Sequence, residues 1–130
     1  MSERESTVND SGTQATLAAI ERFNEAFGRG DVDAVMRAMT EDCVFENTGP
    51  SPDGARYVGQ QAVREFWSQW FERNPGARFE AEAIVALGDH CAVRWIYSKV
   101  RDGKPWHLRG VDVFRVSHDL VAEKLSYVKG

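Results

Sequence analysis

The chain has 130 residues, 42% of them apolar and 28% charged, with a formal net charge of -4 and a pI near 5.4. A single domain of this length buries roughly 65–70% of the surface its unfolded chain exposes, enough for a core, and the acidic balance argues against nucleic acid and anionic membrane as partners. No apolar run approaches the ~20 residues that a bilayer requires, and residues 1–12 carry acids and lack an apolar signal-peptide region, so a cytoplasmic location is expected.

Residues 1–12 read as a mobile leader ahead of one domain, 13–130. Leu17, Ile20, Phe23, Asn24 and Phe27 recur at helical spacing, and Gly28 and Gly30 end that helix. Asp31 caps a short second helix whose apolar face is Val32, Val35, Met36 and Met39. Residues 43–47 predict a strand, residues 48–59 form a loop rich in Gly, Pro and Asp, and a third helix over about 60–73 carries Val63, Phe66, Trp67, Trp70 and Phe71 as an aromatic stripe. Four strands follow, at 79–87, 91–100, 106–116 and 121–129, with turns at Gly88-Asp89 and Asp102-Gly103. The order α-α-β-α-β-β-β-β predicts an α+β fold, a curved antiparallel β-sheet covered by three helices with a cone-shaped cavity at one end. Cys43 and Cys91 lie in apolar runs and predict buried free thiols. With no HxH, HExxH or CxxC spacing, no P-loop, no dinucleotide fingerprint and no GxSxG elbow, neither metal nor cofactor is expected.

The tract from Trp106 to Gly130 alternates ionisable and apolar residues. Strand geometry sets His107, Arg109, Val111 and Val113 on one face, with Trp106, Leu108, Gly110, Asp112 and Phe114 on the other.

The order of elements, the stretch FGRGDVDAVMRAMTEDCVFEN and the ending RGVDVFRV…EKLSYVKG together resemble the nuclear transport factor 2-like superfamily, in particular its SnoaL-like branch, over nearly all of residues 13–130. That scaffold hosts isomerases, cyclases, epoxide hydrolases, dehydratases and non-catalytic binding modules, so function must be argued from the site. Overlaid on ketosteroid isomerases, Phe23 takes the place of the oxyanion tyrosine, Asn47 of the base and Arg109 of the sheet acid, which predicts no steroid isomerisation. The Asp-Arg-Asp arrangement of limonene epoxide hydrolases is missing, with Val93, Trp95 and Tyr97 inward on one strand and Ser126 near the final acid position. The carboxylate of SnoaL-like polyketide cyclases has its nearest counterpart in Asp112, which parity sets opposite Arg109 unless a bulge at Gly110 intervenes.

The overlay makes Phe45, Asn47, Trp95, Tyr97, His107, Arg109, Val111, Lys124, Ser126 and Val128 the inward face. Candidate catalytic residues are His107 as acid/base, with Arg109 and Asn47 stabilising negative charge. Alternatively Arg109 pairs with Glu46, Glu82 or Asp112, and Lys124 lies on an exposed edge. Candidate ligand-binding residues are Phe23, Phe27, Tyr57, Trp67, Phe71, Trp95, Tyr97 and Ser126. This reading predicts a cofactor-free protein that binds a small apolar organic molecule with an anionic or carbonyl group, with proton transfer, cyclisation or hydrolysis as its chemistry. The competing class is a non-catalytic ligand-binding or structural dimeric module. Arg94, Ile96, Trp106, Leu108, Phe114, Leu125 and Tyr127, assigned to the opposite face, predict a homodimer packed sheet to sheet.

Overall fold

The computed structural model describes residues 10–130. Helix α1 (Ser11–Gly28) starts inside the predicted leader, where the Asp10 carboxylate caps it by accepting from Gly12 N at 3.1 Å. The rest of that leader lies outside the described residues. The chain continues through α2 (Val32–Arg37), β1 (Met39–Glu46), β2 (Arg56–Val58), α3 (Gln60–Arg73), β3 (Arg78–Leu87), β4 (His90–Arg101), β5 (Lys104–Ser117) and β6 (Leu120–Val128). The strands form one open, curved sheet in the order β2-β1-β6-β5-β4-β3, with the helices packed on one face. Strand β1 begins earlier than predicted, β2 arises within the predicted loop, and β1 runs parallel to β6 while the other described pairs are antiparallel.

Three polar ties set the helices on the sheet. Thr13 Oγ1 accepts from Gly88 N at 2.9 Å and Thr16 Oγ1 donates to Gly88 O at 2.6 Å, fixing the start of α1 to the β3–β4 turn. The Gln60 side-chain amide at the start of α3 shares its protons among the carbonyls of Met36, Met39 and Thr40, at 3.0, 3.1 and 3.0 Å. The core between the layers holds Ile20, Phe23, Val35, Met36, Phe45, Val63, Phe114 and Val121 at 0–2% exposure, and each such side chain contributes about 1.5–3 kcal/mol by leaving water. Cys43 and Cys91 are buried free thiols, and burial pushes Cys91 up to about 11, where it is inert.

The pairing of β4 with β5 decides the chemistry. It runs without a register break, so Tyr97 faces with Leu108, Trp95 with Gly110, Val93 with Asp112 and Cys91 with Phe114. Cys91, Val93, Trp95 and Tyr97 are buried under the helices, and Trp106, Leu108, Gly110, Asp112 and Phe114 therefore share the inner face. His107, Arg109, Val111 and Val113 face outward, the reverse of the prediction. The parity is as read, with no bulge at Gly110 and Phe114 on the Asp112 side, but that side is the buried one. The outer face accordingly keeps Arg94, Ile96, Leu125 and Tyr127 from the predicted patch and loses Trp106, Leu108 and Phe114 to the interior.

Gly110 is required by a close approach. A Cβ there would run into the Trp95 indole and the Tyr127 carbonyl, one of them backbone. Gly110→Ala is expected to cost about 1–3 kcal/mol by overpacking and to lower the thermal midpoint by roughly 5–15 °C. A midpoint equal to wild type in a calorimetric scan would contradict this packing.

Candidate active site

Two recesses of about 110 and 70 Å³ lie between the helices and the inner face of the sheet. Phe79, Trp95, Asp112 and Lys124 line both. The larger continues to Phe45, Asn47, Trp67, Tyr97 and Ser126, and the smaller to Phe23, Asn24 and Phe27. A wider concavity of about 420 Å³ lies on the outer face against Glu82, Arg94, Arg109 and Tyr127. Its charged groups are open to water, so electrostatic interactions there are screened, and the buried polar chemistry belongs to the smaller inner recesses.

At the junction of the recesses, Lys124 projects from β6 between its register partners Phe45 on β1 and Phe114 on β5. Its Nζ donates to Ser126 Oγ at 2.9 Å and lies 3.3 Å from Asp112 Oδ2, while Ser126 Oγ donates to Asp112 Oδ1 at 2.6 Å. The same ammonium sits 4.8 Å from the ring centre of Phe45 and 5.1 Å from that of Trp67, within cation–π range. Lys124 is 6% exposed and Asp112 8%. Burial lowers the pKa of Lys124 below the ordinary lysine value, and the charge and hydrogen bond of Asp112 oppose that shift without cancelling it. The result is a paired, hydrogen-bonded proton donor and acceptor enclosed by aromatic rings.

The structure brings Phe23, Phe27, Asn47, Trp67, Trp95, Tyr97 and Ser126 to these recesses. Asn47 is held there by its loop: Oδ1 accepts from Thr48 N at 2.9 Å and its own N–H donates to Ala55 O at 2.9 Å. Gly54, at φ +81°, lets the loop close on the Asn47 carbonyl, where no Cβ fits. Tyr57 instead stacks on Phe45 and Phe66, with ring centres 6.0 and 4.9 Å away. Phe71 packs on Phe27 at 5.0 Å; neither Tyr57 nor Phe71 lines the inner recesses. His107 and Arg109 point away from them. Arg109 Nε pairs with Glu82 Oε1 at 3.0 Å, the side chains being 48% and 31% exposed, and His107 Nε2 lies 3.4 Å from Arg109 Nη1. Glu82 lies on that face by alternation from Phe79 and Ala81, which pair with Tyr97 and Trp95, and it sits at the register shift of β3 between Ala81 and Ala83. Asp112 and Lys124, absent from the expected catalytic set, are the charged pair that the fold encloses among the described residues. Their signal in the sequence was the bulk of Phe114, which marks its own face of β5 for burial.

An open sheet backed by α1 and α3, with polar groups beneath an aromatic wall, defines the nuclear transport factor 2-like class. A protein of that class from Mesorhizobium loti, of unknown function, is 37% identical over 93% of this chain and 96% of its own, with a TM-score of 0.81. A putative polyketide cyclase from Xanthomonas campestris shares the fold at 22% identity, 92% and 93% coverage and a TM-score of 0.71. An LEH-like epoxide hydrolase from M. tuberculosis does so at 20% identity, 90% and 84% coverage and a TM-score of 0.75. Residues 20–124 match the SnoaL-like domain, and the chain belongs to the SnoaL-like family. No curated protein matches it significantly.

Removing one partner of a buried pair strands the other, so Lys124→Met is expected to cost about 3–5 kcal/mol, whereas Lys124→Met with Asp112→Leu should recover most of the loss. Chemical denaturation of the three proteins measures this. Because the folded state gives up the Lys124 proton at a lower pH than the unfolded chain, the unfolded chain binds more protons between those two values. Stability of wild type relative to Lys124→Met should therefore rise as pH approaches 10.5. On the outer face, Arg109→Met breaks a screened pair and should change stability by less than about 1 kcal/mol.

Proposed function

We propose that this protein binds a compact, uncharged apolar molecule bearing a carbonyl oxygen in the inner recesses, and that Asp112 and Lys124 move a proton on it. The observation that carries this reading is the buried Asp112–Ser126–Lys124 network at the junction of the two recesses. Size supports a compact ligand, since even together the recesses fall short of the ~300 Å³ at the lower end of drug-sized sites. Charge supports a neutral one, because Asp112 already compensates Lys124 and an anion would gain no unpaired cation. The indole N–H groups of Trp67 and Trp95 are buried with no acceptor among the described residues, and a ligand oxygen offers one.

In this reading the Asp112 carboxylate takes a proton from the carbon next to the carbonyl, and the Lys124 ammonium stabilises the resulting enolate oxygen. Return of the proton to a different carbon gives isomerisation, and attack of the enolate carbon within the same ligand gives cyclisation. Asn47, in the lining of the larger recess, orients the ligand. His107 and Arg109 have no part in it.

Cyclohexanone in deuterated buffer tests the proposal by magnetic resonance. Wild type is expected to speed exchange of the α-protons above buffer, and Asp112→Asn to lower that rate by roughly 100-fold or more. Saturable binding of cyclohexanone with no exchange above buffer would instead establish a non-catalytic binding module.

The assembly we propose is a homodimer in which the outer faces pack sheet to sheet. Its support is the outer concavity and Tyr127, which stands 52% exposed beside it. A dimer mass by light scattering at micromolar concentration is expected, and Arg94→Glu, which puts an acid into that concavity, should favour the monomer. A monomeric wild type would remove this part of the proposal.

A further inference from the structure

The proton-transfer reading uses Lys124 only as a charge, yet its Nζ is also a nucleophile in waiting. It lines both recesses and is the one amine among their lining residues. We propose that Lys124 forms an imine with small uncharged aldehydes or ketones, its Nζ being held at the junction of the recesses by Asp112 and Ser126. This rests on the reading of the recesses as the ligand site, and not on α-proton transfer.

The groups around Nζ supply each step. Asp112 Oδ2, 3.3 Å away, accepts a proton from the ammonium. The freed lone pair forms the N–C bond while the carbonyl π pair moves to oxygen, and a second nitrogen proton passes to that oxygen through Ser126, which hydrogen-bonds both Lys124 and Asp112. Asp112 then returns its proton to the hydroxyl of the carbinolamine, water departs with the C–O pair, and the nitrogen lone pair closes the C=N bond. The sum is one ammonium plus one carbonyl giving one iminium plus one water, with no oxidant or reductant consumed. The charge at nitrogen is the same before and after, so the iminium keeps the Asp112 partner and the faces of Phe45 and Trp67 that held the ammonium. Burial of Lys124 also increases the share of neutral amine over that of a solvated lysine.

The chain provides its own controls, since its lysines are Lys99, Lys104, Lys124 and Lys129, and Lys104 and Lys129 are exposed. The whole protein is treated with benzaldehyde and cyanoborohydride at pH 7, and benzylated lysines are located by peptide mass mapping. Benzaldehyde has no α-proton, so the assay is blind to enolisation. Lys124 is expected to react at roughly ten times the rate of Lys104 and Lys129 or more, with the preference reduced in Asp112→Asn and suppressed by benzyl alcohol, which has nearly the same shape and no carbonyl. If benzyl alcohol perturbs tryptophan emission while Lys124 reacts no faster than Lys104, the imine proposal is overturned and the ligand site stands. If benzyl alcohol leaves the emission unchanged and Lys124 is unlabelled, both fall.

Discussion

Lys124 carries a positive charge into a wall of phenyl and indole rings, and its hydration there is replaced by Asp112, Ser126 and ring faces. Two opposite charges 4 Å apart attract by about 4 kcal/mol at an effective dielectric of 20, while desolvation costs several kcal/mol per ion. Desolvation of the two ions together exceeds that attraction, so the pair persists only if its remaining hydrogen bonds are made. Ser126 makes the decisive one, because a single hydroxyl accepts from the ammonium and donates to the carboxylate. A network so nearly balanced adds little stability and contributes a fixed geometry.

That geometry is assembled from elements far apart in the chain. The parallel pairing of β1 with β6 sets Phe45 beside Lys124, and the antiparallel pairing of β6 with β5 sets Ser126 beside Asp112. Trp67 arrives on α3, whose start is fixed by the Gln60 amide to the carbonyls between α2 and β1. Phe27 on α1 meets Trp67, Phe71 and Phe79 at ring-centre distances of 4.8, 5.0 and 5.3 Å, joining both helices to the edge strand β3. Gly110 leaves the space that the Trp95 indole occupies against β5. Each aromatic residue in the wall therefore serves packing and site together, and the recesses keep their shape because the core does.

Helical spacing made α1 and α3 legible and alternation made the meander legible, while the family resemblance supplied the inward course of Trp95, Tyr97 and Ser126. The face of β5 was harder to read. Both of its faces carry ionisable residues, and alignment with a distant sheet acid selected the arginine, although burial follows bulk and Phe114 sits with Asp112. Strand β2 spans only Arg56–Val58, too short for any period to register. The acids of β1 at Glu41 and Asp42 are exposed and resemble a loop in isolation, since their strand is defined by a neighbour about 80 residues away. The register shift beside Glu82, which sets Ile84 rather than Ala83 opposite the inward Val93, has no local signal, because Ala81 and Ala83 suit either face.

Strand β5 thus presents the same kind of charge pair on both sides with different consequences. On the outer side Arg109 and Glu82 stay largely in water, where screening leaves them little energy and little hold on a ligand. On the inner side Asp112 and Lys124 act through a medium of low polarisability, where a change of one proton alters the field across the whole recess. A bound anion would meet the Asp112 carboxylate as closely as the Lys124 ammonium, so attraction and repulsion would offset. A neutral carbonyl escapes that conflict: its dipole aligns with the field from ammonium to carboxylate, oxygen toward Lys124 and the acidic α-hydrogens toward Asp112. The pair therefore selects for uncharged polar ligands and orients them in the same interaction.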